Sequence, residues 1–295
     1  MLEIGGAERW DRDAAKRGLD ELFLRAKCFG TSKDYGELLG FIARFRWYSP
    51  FNAMLVYVQK RGARFVLTAS SWGSRYGRQI KPGAQPLVIL QPMGPVMFVF
   101  DVSDTEGPPL PRLVEDPFGV PGGSVGSRLK TLVLNSARDG IRVTLVPHGS
   151  QGAGCIQTRA IANTGSGGVY LTFRETRTPV RYDVILDQNH TPEAQFATLV
   201  HELGHLYCGH IGTPDPRWWP DRRGLPKSVA ELEAESVAYM VCQRQGVAVP
   251  SESYLYGYLA QHDEMPPMSL DRVVKAAGLI EDMSVGPVGP RRLRP

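Results

Sequence analysis

The chain has 295 residues, of which 42% are hydrophobic and 22% charged, a balance that excludes a wholly disordered protein. No run approaches the ~18 apolar residues needed to cross a bilayer, and the first residues (MLEIGGAERWDRD) carry no apolar signal core, so no membrane partner is expected. Four scattered cysteines without a C-x-x-C pair suggest neither a disulfide framework nor a thiolate metal site, and a reducing, cytoplasmic setting follows; the formal charge of +4 is too mild to identify an anionic partner by itself.

In chain order, residues 34–46 place Tyr35, Leu38, Leu39, Phe41, Ile42 and Phe45 at helical spacing. Ser49-Pro50 reads as an N-cap followed by proline at the first helical position, which predicts a second helix to about Lys60. Short extended pieces follow at 64–68, 87–91 and 96–102, punctuated by Gly77, Pro82 and Gly83. Residues 107–127 hold five prolines and five glycines, too many for a helix or central strand. They read as a linker between a unit at 1–106 and a second at 128–285, with 286–295 as a disordered tail.

Beyond the linker, 129–137 is helical, and Ile141, Val143 and Leu145 alternate as in a half-buried strand. Strands are expected at 154–160, 169–174 and 182–186. Thr191-Pro192-Glu193 opens a helix that runs to about Cys208. A loop rich in Pro, Arg and Trp leads to helices at 229–245 and 270–280. The fold class is α+β.

The strongest chemical signal is His201-Glu202-Leu203-Gly204-His205. Histidines at i and i+4 share one helical face and can bind one ion, and the glutamate between them can reach water on that ion. A catalytic zinc needs a third protein ligand and keeps one position open. The acidic run Glu231-Leu232-Glu233-Ala234-Glu235 offers candidates. His210, five residues after His205, and Cys208 are read as ordinary packing residues. HELGH followed about 26 residues later by E-x-x-A-E resembles the ImmA/IrrE-type gluzincin metallopeptidases. That resemblance implies a zincin-like domain with a mixed sheet, one Zn²⁺ per chain and Glu231 as third ligand. It implies that Glu235 orients a zinc histidine, in the way outer carboxylates do. Glu233 lies on another side of the helix and is expected to face solvent. Glu202 is then the general base, acting on a protein or peptide substrate. Tyr239, Tyr182, His210 and Arg223 are candidates to stabilise an oxyanion.

A second signal is the absence of any Asp or Glu between Arg44 and Phe100, against eight positive residues: Arg44, Arg46, Lys60, Arg61, Arg64, Arg75, Arg78 and Lys81. Aromatics are interleaved, Trp47 and Trp72 among them. Cations with exposed rings suit single-stranded nucleic acid, whose phosphates need charge and whose bases need stacking platforms. The candidate contacts are Arg44, Arg46, Trp47, Asn52, Arg61, Arg64, Trp72, Arg75, Arg78 and Lys81. The segments WYSPFNAMLVYVQKRGARFV, W-x-x-x-x-G-R-Q-I-K-P-G and FDVSDTEG resemble the N-terminal domain of ArdC-type antirestriction proteins. That resemblance implies a single-stranded-DNA-binding domain joined to a zincin-like peptidase domain in the service of a mobile genetic element. KPGAQP stands where that family often has K-x-G-E-K-G, one basic residue fewer. Two further readings differ in kind: a non-catalytic DNA-binding protection protein with a structural zinc, and a regulator whose N-terminal part binds protein.

Overall fold

The computed structural model describes residues 31–91, 94–111, 125–147, 154–159, 169–247 and 251–291. The N-terminal residues, most of the proposed linker and the last four tail residues lie outside this set. The architecture is α+β, as expected from the sequence.

Two amphipathic helices open the described chain. Helix α1 (Ser32–Arg44) is capped by Thr31, whose hydroxyl accepts from the Asp34 N–H. Helix α2 (Pro50–Gln59) is capped by Ser49 in the same way. An antiparallel sheet follows, of β1 (Val66–Leu67), β3 (Leu87–Gln91) and β4 (Gly94–Asp101) in the order β1-β4-β3. Between β1 and β3 lie helix α3 (Ala69–Tyr76) and strand β2 (Gln79–Ile80), which pairs with β5 (Thr105–Glu106). Helix α3 is not expected from its three serines and glycine, all weak helix formers. Thr68 caps it, Gly77 ends it with φ +62°, and Trp72 inserts from it into the core.

Helix α4 (Val125–Ser136) leads into β6 (Ile141–Val146) and β7 (Gly154–Thr158). A hairpin of β8 (Tyr170–Phe173) and β9 (Thr176–Pro179) precedes β10 (Tyr182–Asp187). Strand β10 is central, parallel to β6 and antiparallel to β7, which stands at the sheet edge. Four helices complete the fold: α5 (Pro192–Tyr207), α6 (Lys227–Arg244), α7 (Ser251–Gln261) and α8 (Leu270–Val285).

The parts on either side of residues 107–127 are not held apart. One buried cluster runs from Tyr35, Leu38 and Met54 through Leu199, Val237 and Ile280. Helix α1 packs on α6 and helix α2 on α8. The Tyr35 hydroxyl donates to Ser236 at 2.8 Å. Arg244, at the end of α6, donates to the carbonyls of Ile42, Phe45 and Tyr48 at 2.6–2.9 Å. In return, Arg46 donates to the Gln243 carbonyl at 2.8 Å. Arg244 thus binds carbonyls at and just past the C-terminus of α1, and Arg46 binds one in the last turn of α6.

Part of the expected tail is also tied down. Arg291 donates two hydrogen bonds to buried Asp139 at 2.7 and 3.0 Å, and its guanidinium lies 5.5 Å from the ring centres of Trp218 and Trp219. Asp139 further accepts from the Tyr207 hydroxyl at 2.8 Å. Among the described residues no helix is long and apolar enough to cross a membrane, and Cys155, Cys208 and Cys242 are free.

Candidate metal centre

Helix α5 starts where Thr191 caps the Ala194 N–H and Pro192 presets the first turn. It ends at Gly209, whose φ of +89° is disfavoured for other residues and where a Cβ would collide with the Pro220 carbonyl. Between these stops the helix crosses α6 at Gly204. A Cβ there would lie 3.3 Å from the backbone of Ala234 and from the Val237 side chain. The glycine inside the HELGH motif thus permits the close helix approach that brings Glu231 to the histidines.

The three expected ligand atoms converge. His201 Nε2 and His205 Nε2 are 3.1 Å apart, and each lies 3.5 Å from Glu231 Oε2. Ligands held at ~2.0–2.2 Å in a tetrahedral zinc site are separated by about 3.3–3.6 Å. The donor set and its spacing therefore fit a divalent ion of that kind. Glu235 Oε1 stands 3.5 Å from His201 Nδ1, the ring nitrogen that faces away from the convergence point. All four side chains keep partial solvent access, from 14% for His205 to 32% for Glu231.

The electrostatics follow from this crowding. The hydrogen bond from His201 and the nearby His205 hold the Glu231 carboxyl down to about 2, against the opposing pull of partial burial. Burial and the adjacent His201 push His205 down to about 4, so its ring is neutral and able to offer a lone pair. For His201 burial acts downward, but Glu231, Glu235 and Glu202 outweigh it and the net direction is up. Glu202 is nearly buried and its carboxyl is raised, chiefly by desolvation, although the Ile156 N–H of edge strand β7 donates to it.

Glu233 corrects the expectation of a solvent-facing residue. Its side chain is fully buried and accepts from Arg222 Nη1 at 2.6 Å, Arg222 Nη2 at 2.7 Å and the Ser269 N–H at 2.7 Å. His210 Nε2 lies 2.9 Å from the same carboxylate, and His210 Nδ1 lies 3.0 Å from His205 Nδ1. Helix α6 is buried on nearly every side, so no face of it was reserved for solvent. Cys208, His210 and Glu233 also stand close enough to share an ion. The Arg222 guanidinium already supplies the cation there, and burial pushes the Cys208 thiol up. Cys208 is a buried packing residue, as expected. Of the oxyanion candidates, His210 is engaged as described and Arg223 forms an exposed pair with Asp221. Tyr182 is buried in β10, with its hydroxyl pushed up to about 12 by desolvation. Tyr239 is buried and lines a cavity between α1, α6 and α7.

The ten candidate DNA contacts divide. Trp72 is fully buried and donates its indole N–H to the Phe100 carbonyl at 2.8 Å, so it is a core residue. Asn52 pairs both ends of its amide with the Leu90 backbone. Arg78 donates to Thr105, Gly107 and Pro108, and Arg46 caps α6. These four hold the fold. Arg44, Arg61, Arg64, Arg75 and Lys81 are exposed. Arg61 lies 3.4 Å from Asp34, and Lys81 donates to the Ser103 carbonyl. Trp47 is 61% exposed, with its ring edge-on to Phe65 at 5.7 Å. Acids from outside the acid-free stretch also reach it: Asp104 stands 2.7 Å from Lys60.

Two helix-borne histidines and one carboxylate, with a buried glutamate beside them, form a three-ligand set that could hold one divalent ion. No protein-family model matches this chain, and no curated protein does. Two solved structures are similar to it, both of the antirestriction protein ArdC from plasmid R388. The metal-free structure is 15% identical with a TM-score of 0.33, covering 82% of this chain and 88% of that one. The Mn(II)-bound structure is 15% identical with a TM-score of 0.37, covering 85% and 98%.

Proposed function

We propose that this protein is a zinc-dependent metallopeptidase with a zincin-like active site, joined to a surface that binds single-stranded DNA. The observation that carries the reading is the 3.1–3.5 Å convergence of His201, His205 and Glu231 beside a raised Glu202. His201, His205 and Glu231 would hold the ion. Bound zinc lowers the pKa of a coordinated water toward ~7 and polarises a carbonyl. Glu202 takes the proton from the attacking water at its carboxylate and returns it to the departing amine nitrogen. Its raised affinity for protons, a consequence of burial, suits both halves of that transfer. Edge strand β7, which donates from Ile156 to Glu202, offers an extended peptide a backbone to lie along.

Trp47, Arg64 and Arg75 are the exposed residues proposed to receive DNA. Together with the sequence resemblance, they support an antirestriction role or cleavage of a DNA-associated regulator for a mobile element. The test pairs elemental analysis with casein cleavage, for the wild type and Glu202→Gln, in the presence of Zn(II) or Mn(II). One zinc per chain with cleavage lost only in Glu202→Gln is expected. Stoichiometric zinc without cleavage, alongside tight single-strand binding, would favour the DNA-protection reading.

A further inference from the structure

Beyond the ligands, the centre is backed by a line of buried polar groups with a fixed acceptor, the Glu233 carboxylate, at the far end. Glu233 has Arg222 on both oxygens and the Ser269 N–H on one, so every neighbour is a donor and the carboxylate only accepts. The contact at 2.9 Å with His210 Nε2 therefore requires a proton on that nitrogen. Of the two polarities open to the next contact, the one in which His210 Nδ1 accepts is the one that leaves a lone pair on His205 Nε2 for an ion. In that polarity His205 Nδ1, 3.0 Å away, is the donor. That leaves the lone pair of His205 on Nε2, the atom facing His201 Nε2 and Glu231 Oε2. The opposite polarity would place a proton on His205 Nε2, directed at the ion.

We propose that Arg222, Glu233 and His210 form a positioning relay that holds His205 in its Nδ1–H tautomer and so prepares it to bind the metal. The inference rests on reading His201, His205 and Glu231 as the metal centre. It assigns a role to His210 and Glu233, which that reading leaves unused. The relay also ties the ion to the loop after α5, because Arg222 additionally donates to the Cys208 carbonyl at 3.1 Å. His210 and Glu233 side chains are 4% and 0% exposed, so water does not substitute readily for either.

The test measures zinc affinity of the full chain by competition with a chromophoric chelator, a readout that needs no turnover. His210→Leu removes both hydrogen-bonding ends and is expected to weaken zinc by about 10–100-fold. His210→Gln keeps an acceptor and a donor on one amide and is expected to stay within a few-fold of wild type. Equal affinities for wild type and folded His210→Leu would overturn the relay. Should His210→Leu fail to fold, long-range ¹H–¹⁵N spectra of the zinc-loaded wild type decide instead. A proton on His210 Nε2 and on His205 Nδ1 supports the proposal, and a proton on His210 Nδ1 overturns it. Wild-type protein that takes up no zinc would overturn the metal centre and the relay together.

Discussion

Arg244→Met is expected to destabilise the whole chain rather than one part of it. The Arg244 side chain is 2% exposed and spans the two regions that composition divides. Its Nη atoms serve the carbonyls of Ile42 and Phe45 at 2.9 and 2.8 Å and of Tyr48 at 2.6 Å, while Nε pairs with Glu281 at 3.0 Å. Methionine fills much of the same volume but leaves Glu281 and these carbonyls without their donor. Removing one partner of a buried ion pair costs about 3–5 kcal/mol. Orphaned buried acceptors cost ~1–3 kcal/mol each when no water reaches them. Relaxation toward solvent at Tyr48 and Glu281 offsets part of this, so a loss of about 4 kcal/mol is expected. Urea unfolding followed both by tryptophan fluorescence and by far-ultraviolet circular dichroism measures it. The two probes should coincide in wild type and variant, with the midpoint lowered and the slope unchanged. A loss below about 1 kcal/mol, or separate transitions already in the wild type, would refute the argument that Arg244 joins one cooperative core.

At the candidate metal centre, Glu231→Ala should abolish stoichiometric zinc and Glu202→Gln should retain it, as read by elemental analysis; equal loss in both would overturn the division between ligand and general base. In the N-terminal region, Trp72→Ala should cost about 3–5 kcal/mol as a buried-aromatic truncation. Trp47→Ala should leave stability nearly unchanged and weaken single-stranded DNA by ~1–3 kcal/mol, measured by fluorescence anisotropy at two salt concentrations. Asp139 yields a pH prediction. Burial alone would raise its carboxyl, but the hydrogen bond from Arg291 and the charge of Arg138 outweigh that and hold it below the ordinary value. A carboxyl depressed by folding contributes stability above its unfolded value of ~3.9, and loses it as pH falls further. Asp139→Asn should therefore be less stable than wild type at pH 7, with the gap closing in acid, as thermal melts across pH 3–7 would show. An unchanged gap down to pH 3 would remove the ion pair from the explanation.

Part of the candidate metal centre is legible in the sequence. Histidines at i and i+4 must share a helical face, and the caps at Thr191 and Ser49 act within four residues, so local chemistry places them. Glu231 was named only through a family resemblance, because helix periodicity says which residues share a face and not which face meets α5. Gly204 was in plain view, yet its purpose appears only once Ala234 and Val237 press against it. Glu233 was misplaced for the same reason: facing away from Glu231 means facing solvent only on a helix that has a solvent side, and α6 is enclosed by α1, α5, α7 and α8. The acid-free stretch shows the same limit. Its charges were counted correctly along the chain, but whether an arginine meets DNA or a carbonyl depends on groups distant in sequence. Arg46 finds Gln243, Arg244 finds Ile42 and Phe45, and Trp72 turns inward to Phe100. Periodicity and capping act over a few residues and determine the elements. The partners of long polar side chains are set by how those elements pack, since a buried donor must find an acceptor wherever the fold supplies one.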